Sequence, residues 1–271
     1  MSNMENFQLL GDVFNIKPPV SIDRLDSSIR IAPESTFKNI NLEKGDLVKY
    51  FDPFVFEMFS NPEEYRIKSK KLVIVFWDLS GFSNLCNNLT DDPIAIIELL
   101  KNYFNRANKI IRKHNGIIDK FMGDGIMAYF GIHPNSKYDI GIQAIEAAFE
   151  LRECFDKIKI SWLKIFKDNY FNKYQPDIHL KCGIHIGNVL FGLLETEDRN
   201  QITVIGSNVN FASRLVEKAE KNQIIISKDV LNIIGDKFIY EPIDKEIQSY
   251  GKVKIFNVRE RKKVIPCNNF Y

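Results

Sequence analysis

Two aspartates close apolar runs in a way that could bring divalent cations to a phosphate. Asp78 ends KLVIVFWD, a continuous run of β-branched and aromatic residues that opens at Lys71 and fits a strand buried on both faces. The chain then turns through Leu79, Ser80 and Gly81. A helix beginning near Phe82 would set its free backbone N–H groups beside the Asp78 carboxylate. Donors next to an acid suit a metal–phosphate site, because the metal and the amides can share one polyphosphate. Asp124 lies between Gly123 and Gly125 in NGIIDKFMGDGIMAYFG, Asn115 to Gly131. The apolar runs Ile117–Met122 and Ile126–Phe130 predict a hairpin there, with Gly and Asp supplying the positive φ of a tight turn. A carboxylate at such a tip projects beyond the sheet edge, within reach of a ligand. Taken singly, each acid has a plainer reading, Asp78 as a helix N-cap and Asp124 as a turn residue. Two apolar strands that end in carboxylates at one sheet edge are hard to explain by packing alone.

The elements that position these acids follow from pattern. GDGIMA superficially matches the dinucleotide fingerprint, but that motif needs a helix after its glycines, and Ile126 to Phe130 suit a strand. Thr90, Asp91, Asp92 and Pro93 signal a helix start, and Ile96, Ile97, Leu100, Tyr103, Phe104, Ala107, Ile110 and Ile111 continue at helical spacing. That helix should stop at His114-Asn115-Gly116, with Gly116 left-handed. The order strand, turn, helices, strand, hairpin puts Asp78 and Asp124 on parallel or adjacent central strands. A long helix is predicted from about Tyr138 to Phe155. Asp156 to Pro176 either extends it or forms a surface excursion, with Lys157, Lys159, Lys164 and Lys167 on a solvated face. HLKCGIHIGNVLFGLL reads as β, with Gly183, Gly187 and Gly192 marking bends or close backbone approach. Thr203 to Gly206 lead into the helix SNVNFASRLVEKAEK, where Asn210 and Arg214 share a face. Strands follow at Gln223–Ser227, Lys237–Ile243 and Lys252–Val258, with a short helix at Lys228–Ile234.

Bulk properties narrow the partners. The 271 residues allow one sizeable α/β domain with an appendage. The net charge of +2 argues against nucleic acid or an anionic membrane as main partner. Without a spanning apolar run or a signal-peptide pattern, the sequence predicts a soluble, cytoplasmic protein. Cys86, Cys154, Cys182 and Cys267 are widely spaced and read as reduced thiols. His114, His133, His179 and His185 lack zinc-ligand spacing, and His179 and His185 read as hydrogen-bonded structural residues. Residues 1 to about 43 read as an extended arm or a small appended element, and Leu47 to Met58 as a short helix against the main domain or a partner chain.

Four blocks, FWDLSGFS, NGIIDKFMGDGIMAYFG, CGIHIGNVLFG and ITVIGSNVNFASRL, occur in the order seen in class III nucleotide cyclases, which the chain resembles from Lys71 to Val258. The resemblance is closest to Lys–Thr-type adenylate cyclases. It implies a ferredoxin-like α+β fold, a central mixed sheet flanked by helices, acting as a head-to-tail homodimer with two sites in the dimer groove. The domains would be residues 1–64, an N-terminal extension with a regulatory or dimer-contacting role; 65–260, the catalytic domain; and 261–271, a tail. By the same resemblance Asp78, Asp124 and the Leu79 carbonyl bind two Mg²⁺ or Mn²⁺ ions per site. Lys120 and Thr203 select adenine, Asn210 orients the ribose, and Arg214 stabilises charge at the α-phosphate. Gly81, Phe82 and Val204 line the substrate. One chain would supply both aspartates and its partner Lys120, Thr203, Asn210 and Arg214.

The implied reaction converts ATP to 3′,5′-cyclic AMP and pyrophosphate. Two departures bear on triphosphate binding: Asn188 stands where a basic residue is common, and Ile247-Gln248-Ser249 where a lysine usually contacts the triphosphate, leaving Lys245 and Lys252 as candidates. Two alternatives are a cyclase using GTP or a pyrimidine triphosphate, and a nucleotide-binding regulatory module that needs a partner. Both metal aspartates and Arg214 being present speaks against the second.

Overall fold

The computed structural model describes residues 66–90, 93–133, 139–170, 176–197 and 201–262, together with Asp52 and Val55. The expected N-terminal arm, all but Asp52 and Val55 of the Leu47–Met58 helix, and Cys267 lie outside the described residues. Internal packing divides the chain into two units, Met1–Arg66 with Leu193–Ile202, and Ile67–Gly192 with Thr203–Tyr271. The described part of the first is chiefly the end of one strand and the start of the next. The second holds every site residue described below.

The elements of the described residues are β1 (Lys68–Ser80), α1 (Phe82–Asn88), α2 (Pro93–Lys113), β2 (Gly116–Met122), β3 (Gly125–Phe130) and α3 (Ile140–Tyr170). Then come β4 (His179–Leu194), β5 (Gln201–Ile205), α4 (Ser207–Lys218), β6 (Ile224–Ser227), α5 (Lys228–Ile234), β7 (Phe238–Ile247) and β8 (Gly251–Arg261). The eight strands form one mixed sheet in the order β2-β3-β1-β4-β6-β8-β7, with β5 paired to β4 off this path. The β4–β6 pair is parallel, whereas β1 runs antiparallel to both β3 and β4.

Alternation along the central strands explains the layers. Val73, Val75, Trp77 and Leu79 of β1, with Cys182 and Ile184 of β4, join Tyr103, Ala107 and Ile111 of α2 and Ala144, Ala148 and Phe155 of α3 in one core. Their neighbours turn the other way, and there Phe211 and Leu215 of α4 pack with Ile225, Ile247 and Ile255. β1 is therefore buried on both faces, as its unbroken apolar run requires.

Several boundaries differ from expectation. β1 begins at Lys68 and continues past Asp78 to Ser80, held by the Leu79↔Leu180 and Ser80↔His179 pairs with β4. Asn115, not Gly116, takes the left-handed conformation after α2, with φ 60°. Asn tolerates that region, whereas Gly116 is needed because a Cβ there would meet the Phe130 ring and Ile111. α3 absorbs the Lys-rich stretch and runs to Tyr170. Lys159 is not on a solvated face: its Nζ donates to the Ile178 carbonyl at 3.1 Å. Cys86, Cys154 and Cys182 are free thiols, as expected. No helix among the described residues is long and apolar enough to cross a membrane.

Candidate active site

The acid pair is assembled where β1 meets the β2–β3 turn. The β1–β3 ladder ends at Trp77↔Ile126, so Asp78 and Leu79 lie directly beside Gly123, Asp124 and Gly125. Gly123 supplies the turn with φ 62°, and a Cβ on Gly125 would stand 3.2 Å from the carbonyls of both Met122 and Trp77. The turn is thus pressed onto β1, and the Leu79 N–H donates to Asp124 Oδ2 at 3.3 Å. Contrary to the expected projection beyond the sheet edge, Asp124 is only 3% exposed.

Burial and, after it, the nearby Asp78 charge push the Asp124 carboxyl up to about 7, against the pull of its own and the Leu79 amides and of Lys181. Lys181 faces Asp78 across the β1–β4 ladder, and its Nζ lies 2.8 Å from Asp78 Oδ2. An ammonium already answers the concentrated negative charge, so a divalent cation suits the same donors. No group of three or more His, Cys, Asp or Glu side chains that could hold a metal occurs among the described residues. The protein offers two carboxylates and backbone carbonyls, and a polyphosphate would supply remaining ligands. The residues fit a metal shared with a phosphorylated substrate. Asp78 is also not a helix cap: α1 is capped by Gly81 at φ 81°, without a side-chain hydrogen bond.

A second cluster lies on the edge strand. The β2–β3 register slips between Ile118 and Lys120, which pair with Ala128 and Met127, leaving Asp119 as an extra residue. Adjacent residues of a regular strand face opposite ways, but a bulge lets both reach one partner. Lys120 Nζ lies 2.9 Å from Asp119 Oδ2 and donates to Thr203 Oγ1 at 3.1 Å. Thr203 Oγ1 in turn donates to Asp119 Oδ2 at 3.0 Å. Asp119 is fully buried as a side chain. That burial raises its pKa against the opposing Lys120 charge, the Lys120 and Thr203 hydrogen bonds and the Val204 amide.

The third group is carried by α4, whose seat is cut by glycines. A Cβ on Gly183 would run into the backbone of Val216 and Ala212, and one on Gly187 into the Asn208 side chain. Asn208 also bonds His185 Nε2 at 3.0 Å, while His185 Nδ1 meets Ser227 Oγ at 2.8 Å, so His185 is the structural residue expected. Asn210 and Arg214 follow one turn apart, and Arg214 Nη1 donates to Glu217 at 2.8 Å on its own helix.

Residues 65–261 match the family described as the adenylate and guanylate cyclase catalytic domain. The chain belongs to this family. It is 28% identical over 254 residues to the terminal-differentiation-specific adenylate cyclase of Dictyostelium discoideum, covering 89% of this chain and 11% of that protein. Against the cytidylate cyclase of Escherichia coli it is 27% identical over 177 residues, 63% of this chain and 36% of the relative. The chain therefore spans well under half the length of either relative. Among solved structures, the guanylyl cyclase Cya2 superposes with a TM-score of 0.65 at 26% identity, covering 74% of this chain and 97% of that one. The adenylyl cyclase CyaB from P. aeruginosa gives 0.64 at 28%, covering 73% and 98%.

Within this cyclase domain the sequence-selected residues fall into three groups: Asp78, Leu79 and Asp124; Lys120 and Thr203, with Val204 buried beside them; and Asn210 with Arg214. Gly81 is required by the close Asp177 carbonyl, and the Phe82 side chain is core, leaving only its backbone for a ligand. Asn188 is exposed, and its carbonyl accepts from Asn208 Nδ2. Lys245 pairs with Glu220 at 3.5 Å, and Lys252 sits opposite Glu246 on the β7–β8 ladder. Two participants escape a reading of the sequence. Lys181 could have been found from the alternation of HLKCG against KLVIVFWD; Asp119 could not, since nothing in NGIIDKFM marks a bulge.

Proposed function

We propose that this chain is an adenylate cyclase that converts ATP to 3′,5′-cyclic AMP and pyrophosphate at two composite sites of a head-to-tail homodimer. The observation that carries the adenine reading is the hydrogen bond between Lys120 Nζ and Thr203 Oγ1, which unites two side chains 83 positions apart. Lys120 can donate to adenine N1, and Thr203 can accept from the adenine amino group. Guanine presents an N–H and a carbonyl at those places and would meet both with the wrong polarity.

The reaction forms a bond between the ribose 3′-oxygen and the α-phosphorus and breaks the bond to pyrophosphate, with loss of the 3′-hydroxyl proton. Both partners belong to one molecule, so the chain's main task is to impose a bent, in-line geometry. Asn210 would hold the ribose and Arg214 the charge that builds at the α-phosphate, one helical turn apart on α4. For the bound nucleotide, two Mg²⁺ or Mn²⁺ ions held by Asp78, Asp124 and the Leu79 carbonyl would supply charge neutralisation and activation of the hydroxyl. The acids and the base readers form separate clusters although Lys120 and Asp124 share one hairpin. Pairing each cluster with the complementary one of a twin chain uses both, and a two-fold axis gives two equal sites.

The test is cyclic-nucleotide formation by the purified protein with Mn²⁺ and each of ATP, GTP, CTP and UTP, products resolved. Cyclic AMP should dominate. Equal turnover of all four would sink the base assignment, and no product at all would sink the enzymatic reading.

A further inference from the structure

We infer that Asp119 is the residue that sets base polarity, by locking the Thr203 hydroxyl as an acceptor toward the base; the inference rests on the proposed role of Lys120 and Thr203. A threonine hydroxyl has one hydrogen and two lone pairs, so unaided it can donate to a carbonyl or accept from an amine. Such a group cannot tell a 6-oxo from a 6-amino purine. Here the choice is removed. Asp119 Oδ2 faces the Lys120 ammonium at 2.9 Å, a group that can only donate. The same oxygen takes the Thr203 hydrogen at 3.0 Å. With that hydrogen spent, Thr203 has lone pairs only, and Lys120 occupies one of them at 3.1 Å.

Counting the remaining valences gives the recognition pattern. Lys120 has three N–H groups; one goes to Asp119, one to Thr203, and one is left. Thr203 has one lone pair left. The cluster thus offers a single donor beside a single acceptor. Its complement is a base edge carrying a ring nitrogen acceptor next to an exocyclic amine, which describes adenine N1 with its 6-amino group and equally cytosine N3 with its 4-amino group. Guanine and uracil carry the reverse pattern and would face donor with donor and acceptor with acceptor. The shared chemistry is therefore an amino-bearing base, and ring size, not this cluster, separates ATP from CTP. The bulge is what makes the device possible, because in a regular strand Asp119 and Lys120 would point to opposite faces.

Asp119 is thereby a positioning residue, acting on substrate through Thr203. The experiment measures kcat/KM for all four triphosphates in the wild-type protein, in D119N and in D119N/T203D. The side-chain amide introduced by D119N can donate to Thr203 Oγ1, freeing the hydroxyl hydrogen to turn to the base, so the ATP:GTP ratio should fall tenfold or more. Adding T203D to the D119N variant should restore that ratio, because a carboxylate accepts without needing its hydrogen placed. Each ratio is taken within one preparation, so partial unfolding does not move it. Competition of 3′-deoxy-ATP against 3′-deoxy-GTP for a fluorescent nucleotide reads the same selectivity by binding, whether or not a variant turns over. A wild type that prefers GTP defeats the adenylate reading. A wild type that prefers ATP, with D119N within twofold of its ratio, overturns the role of Asp119 alone. Failure of D119N/T203D to recover the ratio overturns it too. CTP taken well above UTP by the wild type supports the amino-edge pattern, and equal use of those two refutes it.

Discussion

Replacing Asp124 by Asn should stabilise the metal-free protein while destroying its affinity for divalent ions. Asn is close in shape, and its Oδ1 can still accept from the Leu79 N–H that meets Asp124 Oδ2 at 3.3 Å. What it removes is a buried carboxyl whose pKa stands near 7 instead of the ordinary 3.8. The folded state therefore holds this proton where the unfolded chain has lost it, so stability falls as pH rises between those two values and then levels. At about 1.4 kcal/mol per pH unit, the difference amounts to roughly 4 kcal/mol at most by pH 8. For a domain of this size that is about 10 °C in Tm. The assay is thermal unfolding of wild type and Asp124→Asn in chelator from pH 4 to pH 8. The two should coincide near pH 4 and diverge steadily, with the variant higher. Adding Mn²⁺ at pH 8 should raise only the wild type. Half-saturating Mn²⁺ for the wild type should fall about tenfold from pH 6 to pH 8, since the ionised fraction of a group titrating near 7 grows by that factor. Curves that stay parallel across the range would refute the argument, for they would mean that Asp124 titrates like an exposed acid.

Three further outcomes follow. Asp78→Ala and Arg214→Ala should each be inactive, with losses on the order of 10²-fold or more; mixing them should restore part of the activity through one intact composite site. Mixed dimers shown to form without recovery would count against the head-to-tail arrangement. Lys120→Glu combined with a changed Thr203 should erode the preference for ATP, read as the ratio of cyclic AMP to cyclic GMP formed. Gly183→Ala should cost about 1–3 kcal/mol in chemical denaturation and lower turnover together, because its Cβ would meet the Val216 and Ala212 backbone and lift the helix bearing Asn210 and Arg214; a variant of unchanged stability would show that α4 is not seated as described.

The parts of this molecule that are legible in its sequence are those in which one strong local signal is also the structural cause. An apolar run without alternation is a strand covered on both faces, so KLVIVFWD leads directly to β1, and α5 occupies Lys228–Ile234 as read. For Asp124 the sequence identifies the right turn but the wrong environment. Turn chemistry reveals where a chain reverses, not what then packs around it, and the Leu79 amide that donates to its carboxylate belongs to a strand 45 residues earlier. Lys159 defies its expected solvated face for a similar reason, since its partner is a carbonyl beyond the end of its own helix.

Asp119 shows the deeper limit. Side-chain direction on a strand is a matter of counting, and a bulge changes the count by one without leaving a mark in residue type. That single slip turns an acid from the far face of the edge strand to the side of Lys120, where it also meets Thr203. On the proposed reading, base selection would depend on a hydrogen's direction, fixed by a residue whose position no periodicity could assign. On that reading a lysine and a threonine alone would specify the base incompletely. A lysine donates under any circumstances, but a hydroxyl takes its polarity from its neighbours, so the acid behind it would carry as much of the base choice as the hydroxyl itself.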